Sequence, residues 1–240
     1  MTLRVKLRRM TGYILSLTAM PKRDALYAYV GLFLLVGLIV ALGSYLNRRR
    51  RRALTEAGMA IGFTLVEDPG SYPIPEMPFF QNRGAEIGTM LSGTVAGFEA
   101  AVFDFSYAEG RNRVTQTAAA FRKPGTNIPL FTLHPRHLLD RVSEAFTHPV
   151  KFPSSPAFSE RYVLKGADNL QTTQFFTPAI LSFFEGMPPN EWTVEGYADT
   201  VVVYRQRRRI APPALRQFVD DTGVIATGLL GQVAPTSLFR

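Results

Sequence analysis

The residues of this chain equipped for chemistry are three histidines, one carboxylate set between aromatic rings, a scatter of glycines and two clusters of arginine. His134 and His137 stand three apart in HPRH, and His148 follows. Three imidazoles suffice to hold zinc when they converge on one point. Here the spacing falls at a strand-to-helix junction rather than along one helix face, and no HExxH arrangement is present, so a structural or surface role is expected. Asp104 lies between Phe103 and Phe105, surroundings that can raise a carboxyl pKa and suit it to acid–base work. Strand alternation sends it to the face opposite those rings, so it is expected to face solvent or to pair with Arg111 or Arg113 across the following turn. Gly84, Gly88, Gly93 and Gly97 match neither GxGxxG nor GxxxxGK[ST] and are read as bends in twisted strands. No GxSxG is present, and the absence of cysteine excludes disulfides, thiolate metal sites and a cysteine nucleophile. No residue is assigned a catalytic, cofactor-binding or metal-binding role.

The arginines come in two groups. One is the run Arg48, Arg49, Arg50, Arg51 and Arg52, and the other is Arg205 with Arg207, Arg208 and Arg209. A net charge of +8 would suit a nucleic-acid binder if it were spread over a folded surface. Residues 1–52 hold 11 of the 27 Lys and Arg against one acid, Asp24, which leaves 16 bases and 18 acids from residue 53 onward. A domain so close to neutral lacks the footprint for neutralising phosphates, and nucleic acid is excluded as a partner. The basicity instead belongs to a membrane junction. All five of Arg48, Arg49, Arg50, Arg51 and Arg52 are expected to meet anionic lipid headgroups, and Arg207, Arg208 and Arg209 either headgroups, an acidic partner protein or plain solvent.

That junction follows from Ala25 to Leu46, 22 residues without a formal charge. About 20 apolar residues span the hydrocarbon core as a helix. Tyr27, Tyr29 and Tyr45 lie near the ends, where aromatic rings favour the headgroup region. A cleaved signal would have a shorter apolar core and a small-residue cleavage site, whereas this stretch runs into five arginines. It is read as a retained single-pass anchor in the inner (plasma) membrane. Each arginine at an anionic cytoplasmic leaflet contributes on the order of 1 kcal/mol, so the following domain is expected on the cytoplasmic side. Arg4, Lys6, Arg8 and Arg9 of the leader oppose this balance. Either the leader lies in the interface, or translation starts at Met20.

The expected organisation is a basic leader over 1–24, a transmembrane helix over 25–46, a basic juxtamembrane stalk over 47–66 and a soluble domain over 67–240. Glu67 to Phe80 holds four prolines and reads as a connector packed on the domain through Tyr72, Phe79 and Phe80. Phe103, Phe105 and Tyr107 alternate with Val102, Asp104 and Ser106 as in a half-buried strand, and VTQTAAAF returns after a turn to close a hairpin. A shorter strand over 86–95 precedes it. A strand near Leu130 to Leu133 leads into a helix buried through Leu138, Leu139, Val142 and Phe146. Tyr162 to Lys165 reads as a strand, and Thr177, Pro178 and Gly186 punctuate a short helix. WTVE and TVVVYR form a second hairpin, and Pro212 and Pro213 open a last helix that weakens at Gly223 and Gly228. The fold class expected is therefore α+β, with an antiparallel sheet of two hairpins and flanking helices, possibly as similar halves over 86–146 and 160–230.

The strings LSGTVAGFEAAVFDFSY, VTQTAAAF, FTLHPR, SPAFSERYVLKGAD, FTPAILSFFE and WTVEGYADTVVVYR, in that order, resemble a family of uncharacterised bacterial single-pass membrane proteins. The resemblance covers roughly residues 50 to 230. It implies one hydrophobic segment followed by a basic stretch, and it brings no activity and no site residue. Members usually begin close to their hydrophobic segment, which points to a start at Met20.

Two functions remain open. One is a noncatalytic interaction or scaffold domain held at the bilayer beside a membrane protein partner. The other is a membrane-bound enzyme whose site is assembled from scattered residues such as Asp104, His134 and His137.

Overall fold

The computed structural model describes residues 22–72, 77–137, 149–188 and 191–231. The leader through residue 21, His148 and the helix expected over 138–146 lie outside these residues. The chain divides into two compact units, one ending at Arg51 and the other beginning at Arg52.

Helix α1 runs from Lys22 to Met59. From Leu26 on it is long and apolar enough to cross a membrane, and none of its most apolar stretch is buried. Leu, Ala and Arg are favourable helix formers and no proline interrupts them, so backbone hydrogen bonds are satisfied internally as a bilayer requires. The arginine run therefore lies within α1 rather than beyond its end. Residues of the expected stalk belong to the second unit, because Leu54 and Phe63 lie in its core and Thr64–Val66 is strand β1.

The second unit is α+β. Its sheet has nine strands among the described residues, all paired antiparallel, rather than two hairpins. β2 (Glu86–Val95), β3 (Phe98–Glu109) and β4 (Asn112–Arg122) form a meander. The tight turns need left-handed backbone, which Ala96 and Gly97 supply between β2 and β3 and Gly110 supplies between β3 and β4. β5 (Ile128–Pro135), β6 (Pro149–Val150), β7 (Tyr162–Gly166), β8 (Trp192–Ala198) and β9 (Thr200–Arg205) complete the order β1-β2-β3-β4-β9-β8-β5-β7-β6. Both sequence halves thus share one sheet, with β5 of the first inserted between β8 and β7 of the second.

Helices cover one face: α2 (Pro156–Arg161), α3 (Asn169–Phe175), α4 (Pro178–Gly186) and α5 (Leu215–Leu230). Asp168 caps α3 by accepting from Gln171 N–H at 3.0 Å, and Thr177 caps α4 in the same way. α5 turns Leu215, Phe218, Val219, Thr222, Ile225, Ala226 and Leu229 inward at helical spacing. It runs on through Gly223 and Gly228 instead of weakening there. A Cβ on Gly223 would stand 2.8 Å from Val95, and one on Gly228 would stand 2.4 Å from the Phe183 ring, so both glycines serve close packing.

The opposite face carries a second core of Met90, Ala101, Phe103, Phe105, Ala118, Ala120, Val202 and Tyr204. Met77 and Phe79 are buried against it, with Tyr72 and Phe80 half-buried beside them. The connector therefore packs through the expected aromatics. β3 is consequently buried on both faces through Phe105, rather than half-buried.

Candidate functional site

The two arginine groups expected at a membrane surface or partner differ in their surroundings. In the first, Arg48, Arg49, Arg51 and Arg52 are exposed on α1, whereas Arg50 is half-buried. Successive helical residues are turned about 100° apart, so the five side chains point in different directions around α1. Arg49 and Arg50 thus sit side by side in sequence with unlike exposure. The run is also divided, since Arg48, Arg49, Arg50 and Arg51 belong to the first compact unit and Arg52 begins the second.

The second group is tied to the sheet, where strand alternation gives each face its own polar centre. On the helix-covered face, Asp104 is buried and opposes Thr117 across the β3–β4 ladder. Thr117 Oγ1 donates to Asp104 Oδ1 at 2.8 Å and accepts from Ile210 N–H at 3.1 Å. Arg209 donates from Nε and Nη2 to Asp104 Oδ2, at 3.0 and 2.8 Å. Asp104 thus faces neither solvent nor the turn arginines, and Arg113 pairs with Glu86 instead. A distant arginine takes the carboxylate because Arg207–Ile210 lies along β4, held by Thr117 N–H donating to Arg208 O and by Arg207 N–H donating to Gln116 Oε1, both at 2.9 Å.

The same strand-end geometry supplies every arginine of this cluster with a carboxylate. Arg207 pairs with Glu109, Arg208 meets Glu191 at 3.2 Å, and Arg205 stands 3.9 Å from Asp221 with its guanidinium over the Trp192 ring. Positive charge that reads as a patch in sequence is locally balanced in space. The partners lie as far as 105 residues away along the chain and leave no short-range signal.

On the other face, Glu195 of β8 is only 4% exposed. Tyr204 O–H donates to its Oε1 at 2.8 Å, and the Phe79 backbone N–H donates to its Oε2 at 3.0 Å. Both donors are uncharged, so they offset the loss of hydration only in part. Burial pushes the Glu195 carboxyl up to about 7 against these two hydrogen bonds. Burial, with the Glu195 charge beside it, likewise raises the Tyr204 phenol well above its ordinary value. The sequence reading missed Glu195. A carboxylate alternating with Trp192, Val194 and Val201–Val203 across a hairpin was the available signal, because a β-strand with large apolar residues on both faces has no solvent side.

His134 of β5 shares that face. It is fully buried, burial lowers its pKa, and Lys165 and Arg136 oppose its charge. Nδ1 lies 3.2 Å from Pro135 O and donates to it, which leaves Nε2 an acceptor. Among the described residues, His134 Nε2 and Thr193 Oγ1 have no hydrogen-bond partner. The β5–β8 register pairs Leu133 with Val194, which sets these two residues at the next position. His137 follows the end of β5 and does not converge with His134. Among the described residues, no group of His, Asp and Glu is placed to hold a metal ion.

The candidate glycines serve the backbone. Gly84 and Gly97 have positive φ, Gly88 lies at an irregularity of β2 against Asp104, and the Phe63 ring covers Gly93. A shallow groove of about 470 Å³ beside β6 is floored by Phe152, Pro153 and Pro156 and rimmed by Arg136, Lys151 and Glu160. Open to solvent along its length, it suits a surface contact more than the enclosure of a small molecule.

In chemical terms, Glu195 has the proton affinity of a general base at neutral pH but sits sealed beneath Phe79, and Asp104 is occupied by hydrogen bonds from Thr117 and Arg209. No family model matches the chain, and no curated protein matches it. Among solved structures, the fold is similar to that in the crystal structure of the mycobacterial trehalose monomycolate transport factor A, TtfA. The sequences are 10% identical, the TM-score is 0.50, and the match covers 76% of this chain and 97% of that one, a likeness that shows a shared fold.

Proposed function

We propose that this chain is a single-pass protein of the inner (plasma) membrane whose α+β domain acts as a noncatalytic interaction module on the cytoplasmic side. The observation that carries this reading is α1: an apolar helical stretch, unburied throughout, that leads into five arginines and then the folded domain. A bilayer would cover this apolar surface, which supports reading α1 as an anchor. The exposed Arg48, Arg49, Arg51 and Arg52 meet anionic headgroups, with Arg50 adding its charge from a half-buried position, and together they hold that end inside. The domain's titratable centres support a noncatalytic role, because their hydrogen bonds tie strands and loops together. The likeness to TtfA, described as a transport factor, favours an accessory role beside a membrane transport protein. The chain groups with the uncharacterised bacterial single-pass proteins that its motifs resemble.

The absence of cysteine gives a direct test. Asn112, exposed at the β3–β4 turn, is replaced by cysteine, and intact cells are treated with a membrane-impermeant maleimide before and after lysis. Labelling only after lysis, with the protein resisting carbonate extraction, is the expected result. Labelling of intact cells overturns the orientation, and release by carbonate overturns the anchor.

A further inference from the structure

The segment Met77–Gln81 crosses the aromatic face of the sheet as a single short turn, a 3-10 helix over Pro78–Gln81. Its hold is of two kinds. Phe79 stacks on Phe105 at 4.3 Å between ring centres and lies 4.6 Å from Tyr204, while Phe80 meets Phe105 edge-on at 5.5 Å. Its polar tie to the sheet is the Phe79 N–H donated to Glu195. We propose that Met77–Gln81 is a proton-biased strap: loss of the Glu195 proton favours lifting of the segment, and each lifting uncovers the aromatic face of Phe103, Phe105 and Tyr204.

Burial without a counter-charge, outweighing two hydrogen bonds that favour the carboxylate, gives the sign. With the strap closed, Glu195 is shut from water and faces Phe79 N–H from the strap, the Tyr204 hydroxyl from β9 and uncharged Thr132, its register partner on β5. His134 of β5 stands two residues from Thr132 on the same face, where burial disfavours its charged form, and Lys165 of β7 lies one strand beyond Thr132. The Tyr107 phenol on β3 acts on Tyr204 and so bears on the pair only through it. A carboxylate in that company is costly, whereas a carboxylic acid is not, since its O–H donates to Tyr204 Oη. Opening returns Glu195 to water, where the charged form is favoured. Protons therefore favour the closed strap and their loss favours the open one. The raised proton affinity of Glu195 puts the change near neutral pH.

The test is hydrogen exchange on the full chain in detergent micelles from about pH 5.5 to about pH 8.5, corrected for the intrinsic pH dependence of exchange. The Phe79 amide is compared with that of Val202 in the central strand β9. For wild type, opening at Phe79 is expected to increase about 30-fold over this range, from a Glu195 midpoint that moves between about 7 closed and 4.5 open. Phe79 should remain less protected than Val202 throughout. Glu195→Gln keeps the shape and both hydrogen bonds, so it should flatten the Phe79 profile. Tyr204→Phe removes a donor that favours the carboxylate, so it should move the midpoint to higher pH. Three results overturn the proposal: equal protection of Phe79 and Val202 at every pH, which means the strap opens only with global unfolding; a Glu195→Gln profile matching wild type; or a midpoint in Tyr204→Phe that stays or falls.

Discussion

Replacing Glu195 by Gln should change the pH dependence of stability in a direction opposite to that of most carboxylates. The usual paired Asp or Glu has a depressed pKa when folded and stabilises at neutral pH. Burial raises Glu195 from 4.5 to about 7, so between these values the folded chain keeps a proton that the unfolded chain has released. The unfolded state then binds fewer protons, and stability falls as pH rises. At about 1.36 kcal/mol per pKa unit the whole effect is about 3 kcal/mol, of which about 2 kcal/mol falls between about pH 5.5 and about pH 8.5. Gln fills the same volume, accepts from Phe79 N–H and reaches Tyr204 with its amide, so it removes the titration and little else. Urea unfolding of the detergent-solubilised full chain at the two pH values supplies the measurement. Relative to wild type, Glu195→Gln should gain about 2 kcal/mol at the alkaline end over its standing at the acid end, while the other titrating groups cancel in the difference. A difference that does not change with pH would show that Glu195 titrates alike folded and unfolded, and the account of its burial would fall with it.

Asp104→Asn leaves Arg209 without its anion, and because that guanidinium is partly exposed the loss should be about 1–3 kcal/mol, read from the same unfolding curves. Thr193→Val removes a buried hydroxyl that has no partner among the described residues and keeps the side chain's shape; it should stabilise by about 1 kcal/mol, and destabilisation would show that the hydroxyl is satisfied. Gly228→Ala places a Cβ 2.4 Å from the Phe183 ring, so it should destabilise by about 1–3 kcal/mol in thermal melts even though alanine is the better helix former; a stabilised variant would refute the close packing of α4 on α5.

Elements with strong local signals were legible before any coordinates. The β3–β4 hairpin, the capped helix α4 and the β8–β9 hairpin all appear where alternation, capping residues and turn glycines put them. The connector's aromatic contacts were legible for the same reason, since prolines exclude regular structure and leave the rings to find an apolar surface. Sheet order was not, because it depends on which hairpin edges meet. β5 pairs with β8 and β7, and its links to them run across tens of residues. The polar centres were illegible for a related reason. Asp104 stands out in sequence for its aromatic neighbours, yet its partner Arg209 comes from beyond β9, and the apolar hairpin around Glu195 hints at burial without naming Phe79 and Tyr204 as its partners.

By itself the sequence determined what a one-dimensional pattern can carry: an uncharged 22-residue stretch followed by arginines, a near-neutral domain after it, and the periodicity that separates strands from helices. These depend on neighbours along the chain, so composition and spacing decide them. The tertiary structure alone decided that the Arg207 to Arg209 cluster is matched carboxylate by carboxylate, that β3 is buried on both faces through Phe105, and that Glu195 lies under Phe79. Burial and long-range pairing arise only when distant segments share one fold. They set the local dielectric, and the local dielectric governs whether a charged side chain remains a surface group or holds on to its proton.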